Sequence, residues 1–127
     1  MATIKMATKD DSIEKICSLP LDFKVADKSS FTLLQESKFA DFHNDITKQD
    51  IVDYLYRHKN LIDKWEIWSE DKRTRGFYLS LNAGNYSVGS LDKDGKENFF
   101  KSFATAEEAC AEFILREVSA ILDIKND

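Results

Sequence analysis

The sequence predicts an α+β fold made of N-terminal helices, a four-stranded antiparallel meander and a C-terminal helix packed on one sheet face. Three observations carry this. Apolar residues recur at helical spacing through Ile62, alternate from Trp65 to Phe103, and return to helical spacing after Thr105. The connections inside the alternating region are short and rich in turn formers, which joins consecutive strands antiparallel. No repeat, low-complexity tract or Pro/Ser-rich linker interrupts the chain, so residues 1–127 read as one domain, with 1–10 expected to be flexible.

The first helix is expected to begin at Asp11 or Ser12, with Ile13, Ile16 and Cys17 on its apolar side, and Pro20 should end it. A second helix spans 30–42 with Ser30 as N-cap, and Phe31, Leu34, Phe39 and Phe42 form its stripe. Asn44 and Asp45 break the pattern at 43–46. Thr47 caps a third helix, Asp50 sits in its positively polarised first turn, and Ile51, Val52, Leu55 and Ile62 supply a buried stripe.

Four strands should follow. Trp65, Ile67 and Ser69 alternate with Glu66, Trp68 and Glu70, and Phe77, Leu79 and Leu81 with Tyr78, Ser80 and Asn82. Tyr86 and Val88 mark the third strand, and residues 99–103 the fourth. The loops are Lys72 to Gly76, Asn82-Ala83-Gly84-Asn85, and Asp92-Lys93-Asp94-Gly95, where Gly95 is free to take positive φ. Gly89 falls inside a strand, the usual mark of a bulge or a close backbone approach. Thr105-Ala106-Glu107-Glu108 is a capping box opening the last helix, whose apolar face is Ala106, Ala109, Cys110, Phe113, Val118 and Ile121.

Composition excludes several classes. Hydrophobic residues at 43% support a packed core. The net charge of −5 argues against direct binding of nucleic acid, which needs a basic footprint. No apolar run is long enough to span a membrane, and Met1 to Asp11 lacks the apolar core of a secretory signal, so a cytoplasmic protein is expected. Cys17 and Cys110 form no CxxC and read as small core residues.

Catalytic and cofactor signals are sparse. His43 and His58 have no Cys or carboxylate at ligand spacing, and the four glycines form no phosphate-cradling motif, so no metal, cofactor or catalytic residue is assigned and an enzyme is not expected. A glycosidase-like use of Glu66 and Glu70 would require one of them to be desolvated, and charged residues on an exposed strand are the simpler account. A strand face carrying Trp68, Tyr78 and carboxylates suits protein binding better, because aromatic rings bury much area at low entropic cost. The mixed-charge run Ser69-Glu70-Asp71-Lys72-Arg73-Thr74-Arg75-Gly76 reads as a salt-bridged hairpin tip or an epitope.

The segments Leu33-Leu34-Gln35-Glu36-Ser37-Lys38-Phe39, Asn60-Leu61-Ile62-Asp63-Lys64-Trp65, Trp68-Ser69-Glu70-Asp71-Lys72-Arg73, Gly76-Phe77-Tyr78-Leu79, Tyr86-Ser87-Val88-Gly89 and Ala109-Cys110-Ala111-Glu112-Phe113-Ile114 together resemble small immunity proteins of bacterial contact-dependent inhibition and related polymorphic toxin systems. The resemblance covers residues 30–122 and rests mainly on core and turn residues. It implies a cytosolic inhibitor that binds the C-terminal toxin domain of an effector, often a nuclease with a basic cleft, at its active site or an adjacent exosite. The interface expected on the sheet edge and hairpin is Glu66, Trp68, Glu70, Asp71 and Arg73, with Asp92 and Asp94 from a neighbouring turn. The alternative is a general interaction or scaffold domain, in one version a homodimer paired through a sheet edge.

Overall fold

The computed structural model describes residues 8–71, 76–82, 84–92, 94 and 96–124. Six helices come first: α1 (Lys9–Cys17), α2 (Leu19–Val25), α3 (Ser30–Glu36), α4 (Phe39–Phe42), α5 (Lys48–Arg57) and α6 (Asn60–Asp71). Strands β1 (Phe77–Asn82), β2 (Asn85–Leu91) and β3 (Glu97–Phe103) follow, and α7 (Ala106–Leu122) closes the order. The architecture is α+β with an antiparallel meander of order β1-β2-β3, and α7 packs against all three strands. Among the described residues the sheet has three strands, not the four expected from alternation.

The missing strand is the run Trp65–Glu70, which lies inside α6. Six alternating residues fit either period, and the longer pattern decides. Leu61, Ile62, Trp65 and Ser69 are the buried positions, spaced i, i+1, i+4 and i+8, as one helical face requires. No glycine or proline interrupts residues 60–71, so nothing in the chain favours leaving the helix earlier. The break falls instead at His58 and Lys59, which separate α5 from α6.

The cap expected at Thr47 is complete as a capping box, the capping box expected at Thr105 is present only in its N-cap half among the described residues, and the caps of the early helices shift. Thr47 accepts from the Asp50 N–H at 3.1 Å, and Asp50 accepts in return from the Thr47 N–H at 2.9 Å. Thr105 accepts from the Glu108 N–H at 3.1 Å. At the first helix the N-cap is Thr8, reciprocated by Asp11, rather than Asp11 or Ser12. Lys9 and Asp10, expected in a flexible leader, are therefore helical. Ser29 rather than Ser30 caps α3, and a left-handed Lys38 (φ 62°) splits the expected 30–42 helix into α3 and α4. α1 ends at Cys17, before Pro20, which sits in the first turn of α2. A proline is tolerated there because its missing N–H would have no intrahelical partner.

The sheet turns Phe77, Leu79, Leu81, Tyr86, Val88 and Phe103 toward α7, with Leu79 and Val88 paired and buried at the centre. The outer face carries Tyr78, Ser80, Ser87 and Gly89. Tyr78 lies opposite Gly89, and its ring covers the glycine so closely that an added Cβ would overlap it. The neighbour that requires a glycine at 89 is thus a side chain across the ladder, not the backbone approach expected from the sequence. The Tyr78 hydroxyl donates to Glu97 Oε1 at 2.6 Å, and this hydrogen bond pushes the phenol up to about 12. At the free edge of β1, the Leu79 N–H donates to Ser69 Oγ of α6 at 2.8 Å. α6 therefore packs beside β1, where the first expected strand, residues 65–70, would have paired, and satisfies part of that edge.

Below the sheet, the helices share one core. Trp65 is fully buried, its indole N–H donates to the Cys17 carbonyl at 2.8 Å, and its ring meets Phe113 of α7 edge-on at 5.9 Å. Trp65→Phe removes this donor and orphans a carbonyl at a buried helix end. It should destabilise the fold by about 1–3 kcal/mol in urea unfolding, with unchanged slope. Gly89→Ala should cost about 1–3 kcal/mol by overpacking, and most of that loss should disappear in a Tyr78→Ala background, where the clash is gone.

Candidate functional site

Among the described residues, those expected to form one interface are divided between α6 and the β2–β3 turn. Glu66, Trp68 and Glu70 stand on α6, not on a sheet edge. Residues two apart share a face on a strand but lie about 200° apart around a helix. Glu66 and Trp68 therefore point to opposite flanks of α6, with Glu70 exposed beyond Glu66. Asp71 ends the helix, and its side chain, like the whole of Arg73 and the loop 72–75, lies outside the described residues. Gly95 lies outside them as well. Asp92 is used locally: its Oδ1 accepts from the N–H groups of Asp94 and Lys96, both at 2.9 Å. It builds the β2–β3 turn, and Asp94 is exposed on it. The Leu91 N–H donates to the Gly76 carbonyl at 3.0 Å, which puts this turn at the end of the sheet where β1 begins.

Trp68 is the member of the expected set that does mark a site. Its indole N–H donates to Glu117 Oε2 of α7 at 2.8 Å, and Glu117 is only 4% exposed, so the ring is held from the buried side. It meets Phe23 of α2 edge-on at 5.4 Å and Trp65 at 5.7 Å. Between α2, the start of α3 and α6 these rings leave a cleft of about 360 Å³. Pro20, Phe23, Ile67 and Trp68 give it an apolar lining, with Lys24, Lys64 and Ser30 its polar members among the described residues. Phe23 (46% exposed), Val25 (86%), Phe31 (45%) and Ile67 (41%) all lie on these three helices, which pack together. They are four of the seven large hydrophobics exposed among the described residues, and such clustering marks an interaction surface more often than chance exposure does.

Sequence reasoning missed this cleft because α2 was not foreseen and Trp68 was assigned to a strand. A signal for α2 was present in Pro20, a residue suited to a first helical turn, with Asp22 close behind.

A second cleft, of about 280 Å³, lies between α1 and α5 and is lined by Asp10, Glu14, Asp50, Asp53, Tyr54 and Arg57, with Ile13 behind them. Two of its four carboxylates, Asp50 and Asp53, are engaged in structure. Asp50 caps α5 and pairs with Lys9 at 3.0 Å, and Asp53 accepts from Gln49 Nε2 at 2.9 Å. The Thr47 backbone N–H, aided by Lys9, holds the Asp50 carboxyl below its usual range, so it stays charged where a general acid must hold its proton. Tyr54 stacks on His58 at 4.2 Å, and burial followed by the nearby Glu14 pushes its phenol up. Among the described residues no group of three or more His, Cys, Asp or Glu is arranged to hold a metal ion. No helix among them is long and apolar enough to cross a membrane.

Both cysteines are free and fully buried. Burial pushes the Cys17 thiol up to about 12, and burial, then Cys17 and Glu107, raises Cys110 as well. Nucleophilic chemistry needs the thiolate, which these settings disfavour. The chain matches no protein-family model, no curated protein and no solved structure. Titration of the folded protein with a disulfide reagent should label neither thiol on the timescale on which the urea-unfolded chain labels both.

Proposed function

We propose that this chain is a protein-binding domain that engages its partner through the Trp68 cleft, and that it serves as an immunity protein neutralising the toxin domain of a contact-dependent inhibition effector. The single observation that supports binding is the apolar cleft between α2, α3 and α6, whose lining includes the exposed Phe23 and Ile67. A pocket lined mostly by apolar and aromatic groups, with a few polar ones at hand, is what a partner's anchoring side chain requires. Trp68 is rigid through its bond to Glu117, so little side-chain entropy is lost when a partner covers it.

The immunity role rests on the sequence resemblance over residues 30–122, with a nuclease as the expected toxin. The acidic balance of the chain is compatible with meeting a basic enzyme, since opposite charge speeds encounter. The interface moves, however, from the expected sheet edge to the helical cleft, with Trp68 retained.

The test is co-expression with the product of the adjacent upstream gene, followed by calorimetry. A one-to-one complex of nanomolar affinity that abolishes the toxic activity is expected. Ile67→Asp should weaken it by at least about tenfold, as expected when a charge is forced into an apolar contact. A complex that forms equally well with Ile67→Asp would remove the cleft from the interface. Failure to bind that product at all would remove the immunity reading.

A further inference from the structure

The charge around the cleft runs against the charge of the molecule. The chain carries −5 overall, yet both ionisable residues that line this apolar cleft, among the described residues, are lysines. Neither Lys24 nor Lys64 has an ion-pair partner among those residues, whereas Lys9, Lys28 and Lys48 are all paired. Lys64 and Trp68 are four residues apart on α6, so the ammonium and the indole present side by side, one helical turn apart. Lys24 follows Phe23 directly on the opposing helix. An apolar side chain seated against Phe23, Ile67 and Trp68 would therefore have a cation available from each wall.

We infer that the cleft accepts a short segment of the partner protein in which a large apolar anchor is flanked by carboxylates. This rests on the binding function proposed above and specifies the partner's chemistry at that site. The anchor supplies the buried area. The carboxylates pair with Lys24 and Lys64, and a segment flanked by lysine or arginine is turned away by like-charge repulsion. The partner's segment is then not part of a phosphate-binding surface, which would be basic.

The probes are three fluorescein-labelled synthetic peptides of equal length. One has leucine and phenylalanine anchors with glutamate flanks, one has the same anchors with lysine flanks, and one has glutamate flanks with alanine in place of the anchors. Only the first should saturate the full-length protein, at least about tenfold more tightly than the others, and added salt should weaken it. Its binding should shift the indole N–H resonance of Trp68 and leave that of Trp65 in place. The double variant Lys24→Glu, Lys64→Glu should reverse the preference in favour of the lysine-flanked peptide, with an unfolding midpoint close to that of wild type because neither lysine is paired among the described residues. Equal binding of the first two peptides, binding that the double variant does not alter, or no saturable binding would each overturn the inference. Self-association abolished by Ile67→Asp, with no peptide bound, would assign the cleft to a second copy and also overturn it. The outcome separates from that of the functional test. A toxin complex without peptide preference would remove this inference alone, and peptide preference without a toxin complex would remove the immunity role alone.

Discussion

The hydrogen bond from the Trp65 indole to the Cys17 carbonyl, 2.8 Å long and fully buried, is the contact around which the helical layer is organised. A helix ends with carbonyls that have no partner within it, and a buried one must find a donor elsewhere. Cys17 is the last residue of α1, and the donor comes from α6. The same indole ring meets Phe113, so one side chain holds α6 against both the first helix and the last. Helical spacing also lets Trp65 and Trp68, three residues apart, lie side by side at 5.7 Å. On a strand they would point to opposite faces, and one indole would lose its buried acceptor. Two tryptophans that each need a polar partner, one finding Cys17 and the other Glu117, thus favour the helix over the strand that local alternation suggests.

This placement has consequences at the sheet. α6 packs against β1, and Ser69 accepts the N–H of Leu79 on the strand's open side. An edge that would otherwise offer its backbone to another chain is covered there. On the outer face, Gly89 has no side chain of its own, and the Tyr78 ring lies over it while its hydroxyl reaches Glu97 on β3. Tyr78 is thereby drawn into the sheet's own packing. On the helical side, Trp68 lines the apolar cleft together with Phe23 and Ile67.

Charge divides in a similar way. Several ion pairs hold elements together at the surface, such as Lys9 with Asp50 and Lys48 with Glu112. Burial pushes the Glu112 carboxyl up, but Arg116 and Lys48 outweigh it and hold it low. Exposed pairs of this kind contribute below about 1 kcal/mol each. Lys24 and Lys64 contribute no such pair among the described residues, and their position beside apolar rings gives them more consequence for recognition than for stability.

Much was legible in the sequence. Thr47 with Asp50, and Thr105 with Glu108, announce helix starts because a side-chain oxygen three residues before a free N–H is a local device that needs no tertiary context. The hairpin from Phe77 to Leu91 follows from alternation and a short turn, and the α+β class follows from the order of these periods. At residues 65–70 six residues satisfy both periods, and the partners that wait for two indoles reinforce the helix that the longer pattern from Leu61 to Ser69 favours. Tertiary structure alone decided the site. Glu66, Trp68 and Glu70 are neighbours in sequence, but the helix turns Trp68 away from the acids and toward Phe23, over forty residues earlier in the chain. A cleft between three helices is defined by packing directions that no local pattern encodes, whereas caps and turns close within four residues and can be read where they stand.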